Sequence, residues 1–355
     1  MNRNNFITLY KKNNFCKTFI IAEAGVHHNC SIDLAKKIID AAANAGADAI
    51  KFQTYKSETL VTSWAPIYWK QKDQLTQFQY FKKRDKFNFE DYECLNNYAR
   101  QKNITFCSTP FDDESVTWLE KLNVPFWKIA SGDIDNYPLL EKVARTNKPV
   151  IISTGASFFN EIKETVHYLQ SKNVNKIALL HCNLAYPTPD SEANLLRITK
   201  LKSLFPDLLI GYSDHTIPDN QSTIPVLAVA LGAKIIEKHF TLNREIPEDD
   251  HLHSVDPILL ECMIKKIKIA EDATEDYVEM TKSEKPARKN ARRSLVAKKI
   301  IIEGTVLEKN MIIAKRPGGG ISPSKIDTIM GKKAITKIPE DSQILLDDLE
   351  SIESK

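Results

Sequence analysis

Eight short apolar segments follow one another along the chain, and each ends on a polar or ionisable residue. The segments are FIIAE (19–23), AIKFQT (49–54), ITFCST (104–109), FWKIAS (126–131), VIISTG (150–155), IALLHC (177–182), LLIGYSDH (208–215) and KIIEKH (234–239). Short runs rich in Ile, Val and Phe are typical of strands buried on both faces, as in parallel sheets covered by helices. The pattern therefore predicts eight parallel strands whose polar ends meet at one edge.

Amphipathic helix patterns alternate with these segments. In SIDLAKKIIDAAANAG (31–46), apolar residues recur at helical spacing, Ser31 can cap the N-terminus and Gly46 can end the helix. Further helices are predicted at 89–102, 112–122, 137–146, 159–171, 194–205, 222–232 and 255–271. Alternating strands and helices predict an α/β fold, a TIM (β/α)₈ barrel, with catalytic groups on its C-terminal rim.

Two stretches depart from this alternation. The aromatic-rich interval 56–88 is long for a barrel loop, and long loops on the rim are usually functional. We therefore predict that this interval forms part of a substrate lid. Residues 281–292 are charged, contain Pro and lack apolar periodicity, and short β-type runs follow them. We therefore predict a catalytic barrel domain at 1–280, a linker at 281–292 and a small β-rich domain at 293–355.

Composition bears on the partners and the cellular location of the protein, but it does not indicate the reaction. The chain has 355 residues, and its 49 basic and 46 acidic residues give a net charge of +3, too small to indicate a nucleic-acid or membrane partner. The N-terminal stretch is polar and rich in Lys, unlike a signal peptide, and the six cysteines include no CxxC pair. These features predict a cytoplasmic protein with reduced thiols.

A pair of histidines is the most informative candidate chemistry. His215 and His239 end predicted strands seven and eight, which are neighbours in a closed barrel. Two imidazoles with nearby carboxylates suit a divalent transition metal that keeps open coordination positions. Asp250 is the expected nearest carboxylate, although the run Glu248, Asp249 and Asp250 also fits a solvated loop. Each histidine alone would more simply be a satisfied polar group at a strand end.

Lysines interrupt two of the predicted strands. Lys51 and Lys128 would be costly in a barrel interior unless they meet an anion or act as amine nucleophiles, the alternative being that they extend to the rim. Hydroxyl groups at the same rim, from Ser131, Ser153 and Ser213, suit a phosphorylated substrate. Glu23 ends the first strand and is placed for general acid/base work, or for a structural ion pair with Lys51.

Nine motifs extend over nearly the whole chain: IAEAGVHHN (21–29), AGADAIKFQT (45–54), FCSTPFD (106–112), KIASGDIDNYPLL (128–140), PVIISTGAS (149–157), LLHCNLAYPTP (179–189), IGYSDHT (210–216), ALGAKIIEKHFTL (230–242) and KRPGGGISP (315–323). In residues and order they resemble the sialic acid synthase family. The resemblance implies a TIM barrel, a C-terminal antifreeze-like (SAF) domain and a domain-swapped homodimer. It also implies a C–O-cleaving transferase that condenses phosphoenolpyruvate, an N-acylated hexosamine and water into a nonulosonic (sialic-type) acid and phosphate.

The resemblance also implies roles for individual residues. His215 and His239 match the family's Mn²⁺ ligands, with Mg²⁺ or Co²⁺ as alternatives. Glu23 matches the acidic residue beside the reacting carbons, and Arg316 matches an arginine that the partner subunit's SAF domain inserts. The positions around phosphoenolpyruvate are Lys51, Thr109, Lys128, Ser131, Ser153 and Ser213. The sugar-side positions are Gln53, Asp133, Tyr186 and Asp250, and Asn183 is also predicted to bind substrate.

Two departures from the family pattern bear on the sugar. The loop HHNC (27–30) stands where the family usually has Asn-His-Asn-Gly, and Leu184 places an apolar side chain at a sugar-side position. The expected sugar is N-acetylmannosamine or a 2,4-diacetamido-trideoxyhexose, and Leu184 suits the deoxygenated one. The GGGISP segment of the chain resembles that of the neuraminate and legionaminate branches of the family more than that of the pseudaminate branch.

Three other classes remain open at the level of sequence. A Schiff-base aldolase would use Lys51 or Lys128 and needs no metal. A non-catalytic carbohydrate-binding or ice-binding protein would rest on the C-terminal domain, but it leaves the polar strand ends without a purpose. A metal-dependent hydrolase would use the histidine pair, but it has no need of two interior lysines.

Overall fold

A computed structural model describes residues 17–69, 76–247, 249–274 and 279–351. The chain divides into two compact units, Met1–Glu275 and Asp276–Lys355. Glu248 of the predicted acidic run and residues 70–75 of the predicted lid lie outside the described residues, as does Cys16. The five described cysteines are free thiols, as predicted. Within the described ranges, no helix has the length and apolar character needed to cross a membrane.

The first unit contains one eight-stranded parallel sheet. Its strands are β1 Phe19–Gly25, β2 Ala49–Thr54, β3 Thr105–Pro110, β4 Trp127–Ile129, β5 Val150–Ser153, β6 Ile177–Cys182, β7 Leu209–Asp214 and β8 Ile235–His239. The order β3-β2-β1-β8-β7-β6-β5-β4 brings the first and last strands together and nearly closes the sheet. The predicted TIM barrel is confirmed. Strand β4 is shorter than predicted because the chain turns into a 3₁₀ helix at Ser131–Asp133.

Helices alternate with the strands along the chain. They are α1 Ile32–Ala45, α2 Ser57–Leu60, α3 Gln77–Lys82, α4 Phe89–Gln101, α5 Asp113–Lys121, α6 Tyr137–Ala144, α7 Phe159–Ser171, α8 Leu196–Leu204, α9 Thr223–Ala230 and α10 Pro257–Ala273. The ends of α1 are formed as predicted, because the Ser31 side chain accepts a hydrogen bond from the Leu34 amide and Gly46 has a left-handed φ of 97°. The two short helices α2 and α3 lie within the predicted lid segment.

Two apolar layers hold the barrel together. The larger one lies between the sheet and the helices, and a smaller one fills the inside of the barrel. The inner layer is built from Phe19, Ile21, Ala49, Cys107, Phe126, Ile151, Ala178, Leu180, Leu209 and Ile235. Gly211 is required beside it, since a Cβ there would come within 2.5 Å of the Ile235 carbonyl oxygen. The filled interior leaves the rim as the place for chemistry.

The second unit is a small β-rich module, as predicted. Helix α11, Glu284–Ala291, occupies most of the predicted linker and is exposed along its length. Strands β9 Ser294–Ala297 and β10 Ile312–Lys315 pair antiparallel. Their core is formed by Leu295, Ala297, Ile301, Leu307, Ile312, Ile329, Ala334, Ile338, Ile344 and Leu349.

Replacing Phe126 by Ala should destabilise the barrel by about 3–5 kcal/mol, because the ring is fully buried in the inner layer and its removal leaves a cavity. Urea unfolding followed by circular dichroism measures the change. Phe158→Ala is the matched control, since that ring is 78% exposed and its loss should change stability by less than about 0.5 kcal/mol. Equal effects of the two substitutions would contradict this account of the inner layer.

Candidate active site

A cavity of ≈ 380 Å³ opens at the C-terminal ends of the barrel strands. Its polar and ionisable lining includes Glu23, Lys51, Gln53, Thr109, Lys128, Ser131, Asp133, Ser153, Tyr186, Ser213, His215, Glu237, His239 and Asp250. All residues predicted for the site from the barrel unit are therefore in the lining, except Asn183. The Asn183 side chain instead donates to the Glu192 carbonyl, 2.8 Å away, and its neighbour Leu184 faces the cavity. Arg316 belongs to the second unit.

Strand register explains how the charged groups meet. Glu23 on β1 pairs with Lys51 on β2 and with His239 on β8, while Ser213 on β7 pairs with Glu237 on β8. Residues two apart on a strand face the same side, so Glu237 and His239 are directed to one side of β8. Polar residues from the four strands β1, β2, β7 and β8 therefore meet at one place.

Two lysines and two carboxylates form a buried ionic cluster at the bottom of the cavity. Lys51 Nζ lies 2.9 Å from Glu237 Oε1 and 3.3 Å from Glu23 Oε2. Lys128 Nζ lies 3.8 Å from Glu237 Oε2 and donates to Ser153 Oγ at 2.7 Å. All four charged side chains are almost completely buried. The predicted ion pair of Glu23 and Lys51 is present, and Glu237 is its unpredicted second partner.

The environment sets each group's pKa differently. Burial raises the pKa of Glu23 to about 7, against the opposing charge of Lys51. Burial also opposes ionisation of Glu237, but the charges of Lys128 and Lys51 hold its pKa down, at about 2. Burial lowers the pKa of Lys128 to about 8, whereas the two carboxylates outweigh burial at Lys51 and raise its pKa. Glu23 is thus the carboxyl that can exchange a proton near neutral pH.

Hydroxyl groups surround the lysines. Ser213 Oγ donates to Glu237 Oε1 at 3.1 Å, and Ser131 Oγ accepts from the Gly155 amide at 2.9 Å. Thr109 Oγ1 is buried and makes no hydrogen bond to the described part of the chain. Two cations with several hydroxyl groups make this half of the cavity suited to a phosphate or carboxylate.

Two imidazoles and a carboxylate line the other half, and a third imidazole, that of His253, packs against them. The His239 ring centroid lies 5.2 Å from that of His215 and 4.9 Å from that of His253. Asp250 lies between two of them, with Oδ2 3.4 Å from His239 Nδ1 and Oδ1 3.5 Å from His253 Nε2. Ligand atoms of His239, Asp250 and His253 all fall within 4.8 Å of one another, a set that does not include His215.

These residues fit a divalent transition metal. His239 Nδ1 and His253 Nε2 are buried nitrogens that make no hydrogen bond within the described ranges. Burial lowers the pKa of both rings, that of His253 to about 2, so both are neutral and can act as ligands. His215 Nδ1 lies 2.6 Å from the Asn183 carbonyl oxygen, a contact that orients the ring as a supporting hydrogen bond does for metal ligands.

The cavity lining also contains a group of apolar and aromatic side chains, the apolar wall. Several of its side chains come from the predicted lid segment, and Leu184 follows β6. The wall consists of Leu60, Val61, Tyr68, Trp69, Tyr80, Phe81, Phe111 and Leu184. The lid segment therefore contributes directly to the cavity. In the HHNC loop, Cys30 has a φ of 57°, the left-handed conformation that a Gly adopts most easily.

Sequence reasoning missed Glu237 and His253. A signal for Glu237 was present, because it interrupts an apolar strand two residues before His239, as Lys51 interrupts β2. His253 has no such periodic signal. Its position follows from the hydrogen bond that the Val255 amide donates to the His239 carbonyl at 2.8 Å, a contact between distant parts of the sequence.

Comparison with known proteins agrees with this geometry. The model of the NeuB family matches residues 38–279, and that of the SAF domain matches residues 292–350. The N,N'-diacetyllegionaminic acid synthase of Campylobacter jejuni is 40% identical over 92% of this chain and 99% of its own length. The human N-acetylneuraminate-9-phosphate synthase is 34% identical over 92% of this chain and 91% of its own.

A solved structure gives the same result. The crystal structure of N-acetylneuraminic acid synthetase from Leptospira borgpetersenii, in complex with citrate, superposes with a TM-score of 0.69 at 36% identity, covering 76% of this chain and 90% of that one. The resemblance inferred from the sequence motifs is confirmed. The chain belongs to the NeuB family, and it carries a C-terminal SAF domain.

Proposed function

We propose that the protein is a synthase that condenses phosphoenolpyruvate with an N-acylated hexosamine and water, giving a nonulosonic acid and inorganic phosphate. The observation that carries the proposal is one cavity with a buried lysine–carboxylate cluster on one side and an imidazole–carboxylate group on the other. Relatives named as synthases of legionaminic, neuraminic and pseudaminic acids support it.

The lysine side is the proposed site of phosphoenolpyruvate. Lys51 and Lys128 would meet its carboxylate and phosphate, helped by hydroxyl groups of Thr109, Ser131, Ser153 and Ser213. Glu237 stabilises both lysines while the anion is absent and keeps them directed into the cavity. Because Glu23 is partly protonated near neutral pH, Glu237 is the one carboxylate of the cluster that would fully oppose an anion placed there.

The imidazole side is the proposed site of the metal and the sugar. His215 and His239 would hold a divalent metal, with Mn²⁺ as the first choice and Mg²⁺ or Co²⁺ as alternatives. When bound, such an ion polarises a carbonyl oxygen as a Lewis acid. The sugar would lie beside Gln53, Asp133, Tyr186 and Asp250. The apolar wall, which includes Leu184, favours a sugar with few hydroxyl groups, such as a 2,4-diacetamido-trideoxyhexose, over N-acetylmannosamine.

The proposed reaction requires a general base, and Glu23 is the candidate for it. C3 of phosphoenolpyruvate forms a bond to the aldehyde carbon of the sugar, whose oxygen takes up a proton and becomes a hydroxyl group. Water adds to C2 and gives a hydroxyl group there. As the bond from C2 to the phosphate oxygen breaks, this hydroxyl group passes its proton to the departing phosphate, and C2 is left as a ketone. The Glu23 carboxylate would take the proton from the attacking water, and its neighbour Gln53, donating at 2.9 Å, would hold it in place.

One observation favours a second candidate. The lowered pKa of Lys128, about 8, would also suit the amine of a Schiff-base aldolase. Borohydride trapping of substrate on Lys128, or full activity after exhaustive chelation, would favour that reaction over the synthase.

A direct assay tests the proposed reaction. Phosphate release should require phosphoenolpyruvate, a divalent metal and an N-acylated hexosamine together, and the trideoxy sugar should give the higher kcat/KM. Leu184→Asn should reduce this preference, because it replaces apolar surface by an amide that can bind hydroxyl groups. Chelator-treated protein is the control. If no hexosamine supports phosphate release, the synthase assignment is wrong.

The pH dependence should report on Glu23. As pH falls through about 7 the carboxylate is protonated and can no longer accept a proton, so kcat/KM should fall on the acid side. Glu23→Gln should lower turnover by about 10²–10⁴-fold and remove that limb from the profile. Glu164→Gln, on the exposed face of α7, is the matched control. An unchanged acid limb in the residual activity of Glu23→Gln would contradict the role.

The proposed domain-swapped homodimer predicts complementation between subunits. Arg316→Ala and Glu23→Gln should each have little activity alone, because each removes a group from every site. Coexpressed at equal levels, they should recover about a quarter of wild-type activity, since half of the randomly paired dimers contain one complete site. No recovery would mean that Arg316 acts within its own chain, and full activity of Arg316→Ala alone would mean that Arg316 has no part in the reaction. Phosphate release by the unfractionated coexpressed dimers, relative to the wild type, is the measurement.

A further inference from the structure

We propose that His253 is a third imidazole ligand of the metal, so that the site holds its ion through His215, His239 and His253 with Asp250 as the carboxylate. The inference rests on the proposed function for the presence of a metal, and it adds a ligand that the two-histidine motif does not contain. His253 is placed by the loop that follows β8, whereas His215 and His239 stand at the ends of adjacent strands.

The ring of His253 is buried and directed at the same carboxylate as His239. It is 2% exposed, and its Nε2 makes no hydrogen bond among the residues that the structure describes. A buried polar nitrogen without a partner is costly, and most such groups in folded proteins are satisfied. His239 Nδ1 is in the same situation on the other side of Asp250. One cation bound by the two rings and the carboxylate would give both nitrogens a partner.

The distances match a common ion. Ligand atoms about 2.1 Å from one metal lie roughly 3–3.5 Å apart in tetrahedral or octahedral arrangements. The separations from Asp250 to His239 and to His253 are 3.4 and 3.5 Å. Ring centroids of imidazoles on one ion lie roughly 4.5–5.5 Å apart, which fits the 4.9 and 5.2 Å that separate His239 from its two neighbours. The 6.0 Å between the rings of His215 and His253 corresponds to a wider angle.

The backbone holds His253 in this position. Phe240 forms a parallel bridge with Val255, and the Val255 amide donates to the His239 carbonyl at 2.8 Å. Ser254 Oγ donates to the Asp250 carbonyl at 2.6 Å and closes the turn that carries both ligands. The third imidazole is thus tied to the strand that carries His239, as a preorganised ligand should be.

A third nitrogen ligand changes which ions the site prefers. Imidazole suits Zn²⁺, Co²⁺, Fe²⁺ and Ni²⁺, whereas carboxylate and water suit Mg²⁺ and Mn²⁺. With three imidazoles, the site should discriminate more strongly for Co²⁺ and Zn²⁺ over Mg²⁺ than a two-imidazole site does. Removing His253 should therefore weaken Co²⁺ binding more than Mn²⁺ binding.

The test measures metal binding directly on the full-length protein, without substrate. Chelator-treated wild type, His253→Ala, His253→Gln and His239→Ala are titrated with Mn²⁺ and Co²⁺ by calorimetry, and X-ray absorption of the Co²⁺ forms counts the coordinated imidazoles. We expect the Kd to rise by at least about 10-fold in both His253 variants, with one imidazole fewer in the absorption spectrum. His167→Ala, on the exposed face of α7, is the matched control and should bind as wild type does.

The outcomes separate this inference from the proposed function. If both His253 variants bind metal as tightly as wild type with the same imidazole count, while His239→Ala does not bind, the third ligand is refuted and the metal-dependent synthase stands. If the wild type binds neither ion, both the third ligand and the metal part of the proposed function are refuted. Circular dichroism and phosphoenolpyruvate binding identify a variant that has misfolded, and the milder His253→Gln substitution then decides the result.

Discussion

The ionic contact between Glu237 and the two interior lysines is the constraint on which the rest of the site depends. Burying an unpaired charge in a barrel costs several kcal/mol, and here two cations lie side by side with almost no access to water. The Glu237 carboxylate is held ionised by them and compensates one of the two charges. Because Glu23 is only partly ionised near pH 7, the cluster keeps a positive excess, which is what an anionic substrate requires.

Barrel closure creates this cluster. Glu237 lies on β8 and Lys51 on β2, and they meet because β1 pairs with both strands in a register that sets Glu23 beside Lys51 and beside His239. Shifting any of these strands by one residue would turn its polar groups to the opposite face of the sheet. The inner apolar layer, with Phe126 against Phe19, therefore supports the chemistry indirectly, since it keeps the strands in the register that the ionic cluster needs.

The sequence was sufficient for the barrel because the relevant signals are local. Apolar runs, helical spacing and the Ser31 cap predicted most strands and helices to within a few residues, and polar strand ends predicted the rim that the cavity occupies. The site residues that the sequence did not predict are placed by contacts between separate segments of the chain. Glu237 becomes a partner of Lys51 only through closure, and His253 reaches His239 only because the loop that carries it pairs with the end of β8. The turn that shortens β4 is also not encoded in hydrophobicity.

The two halves of the cavity influence each other through charge. Burial does most to keep His239 neutral, followed by the neighbouring imidazoles, and the positive charge of Lys51 adds to the same effect. A neutral imidazole is the form that binds a metal, so the cations that suit one half of the cavity to an anion also keep the other half ready for a metal. An anion bound at the lysines would offset part of that positive charge and strengthen the attraction for a divalent cation nearby. Anion and metal should then bind cooperatively, because each reduces the electrostatic cost of the other.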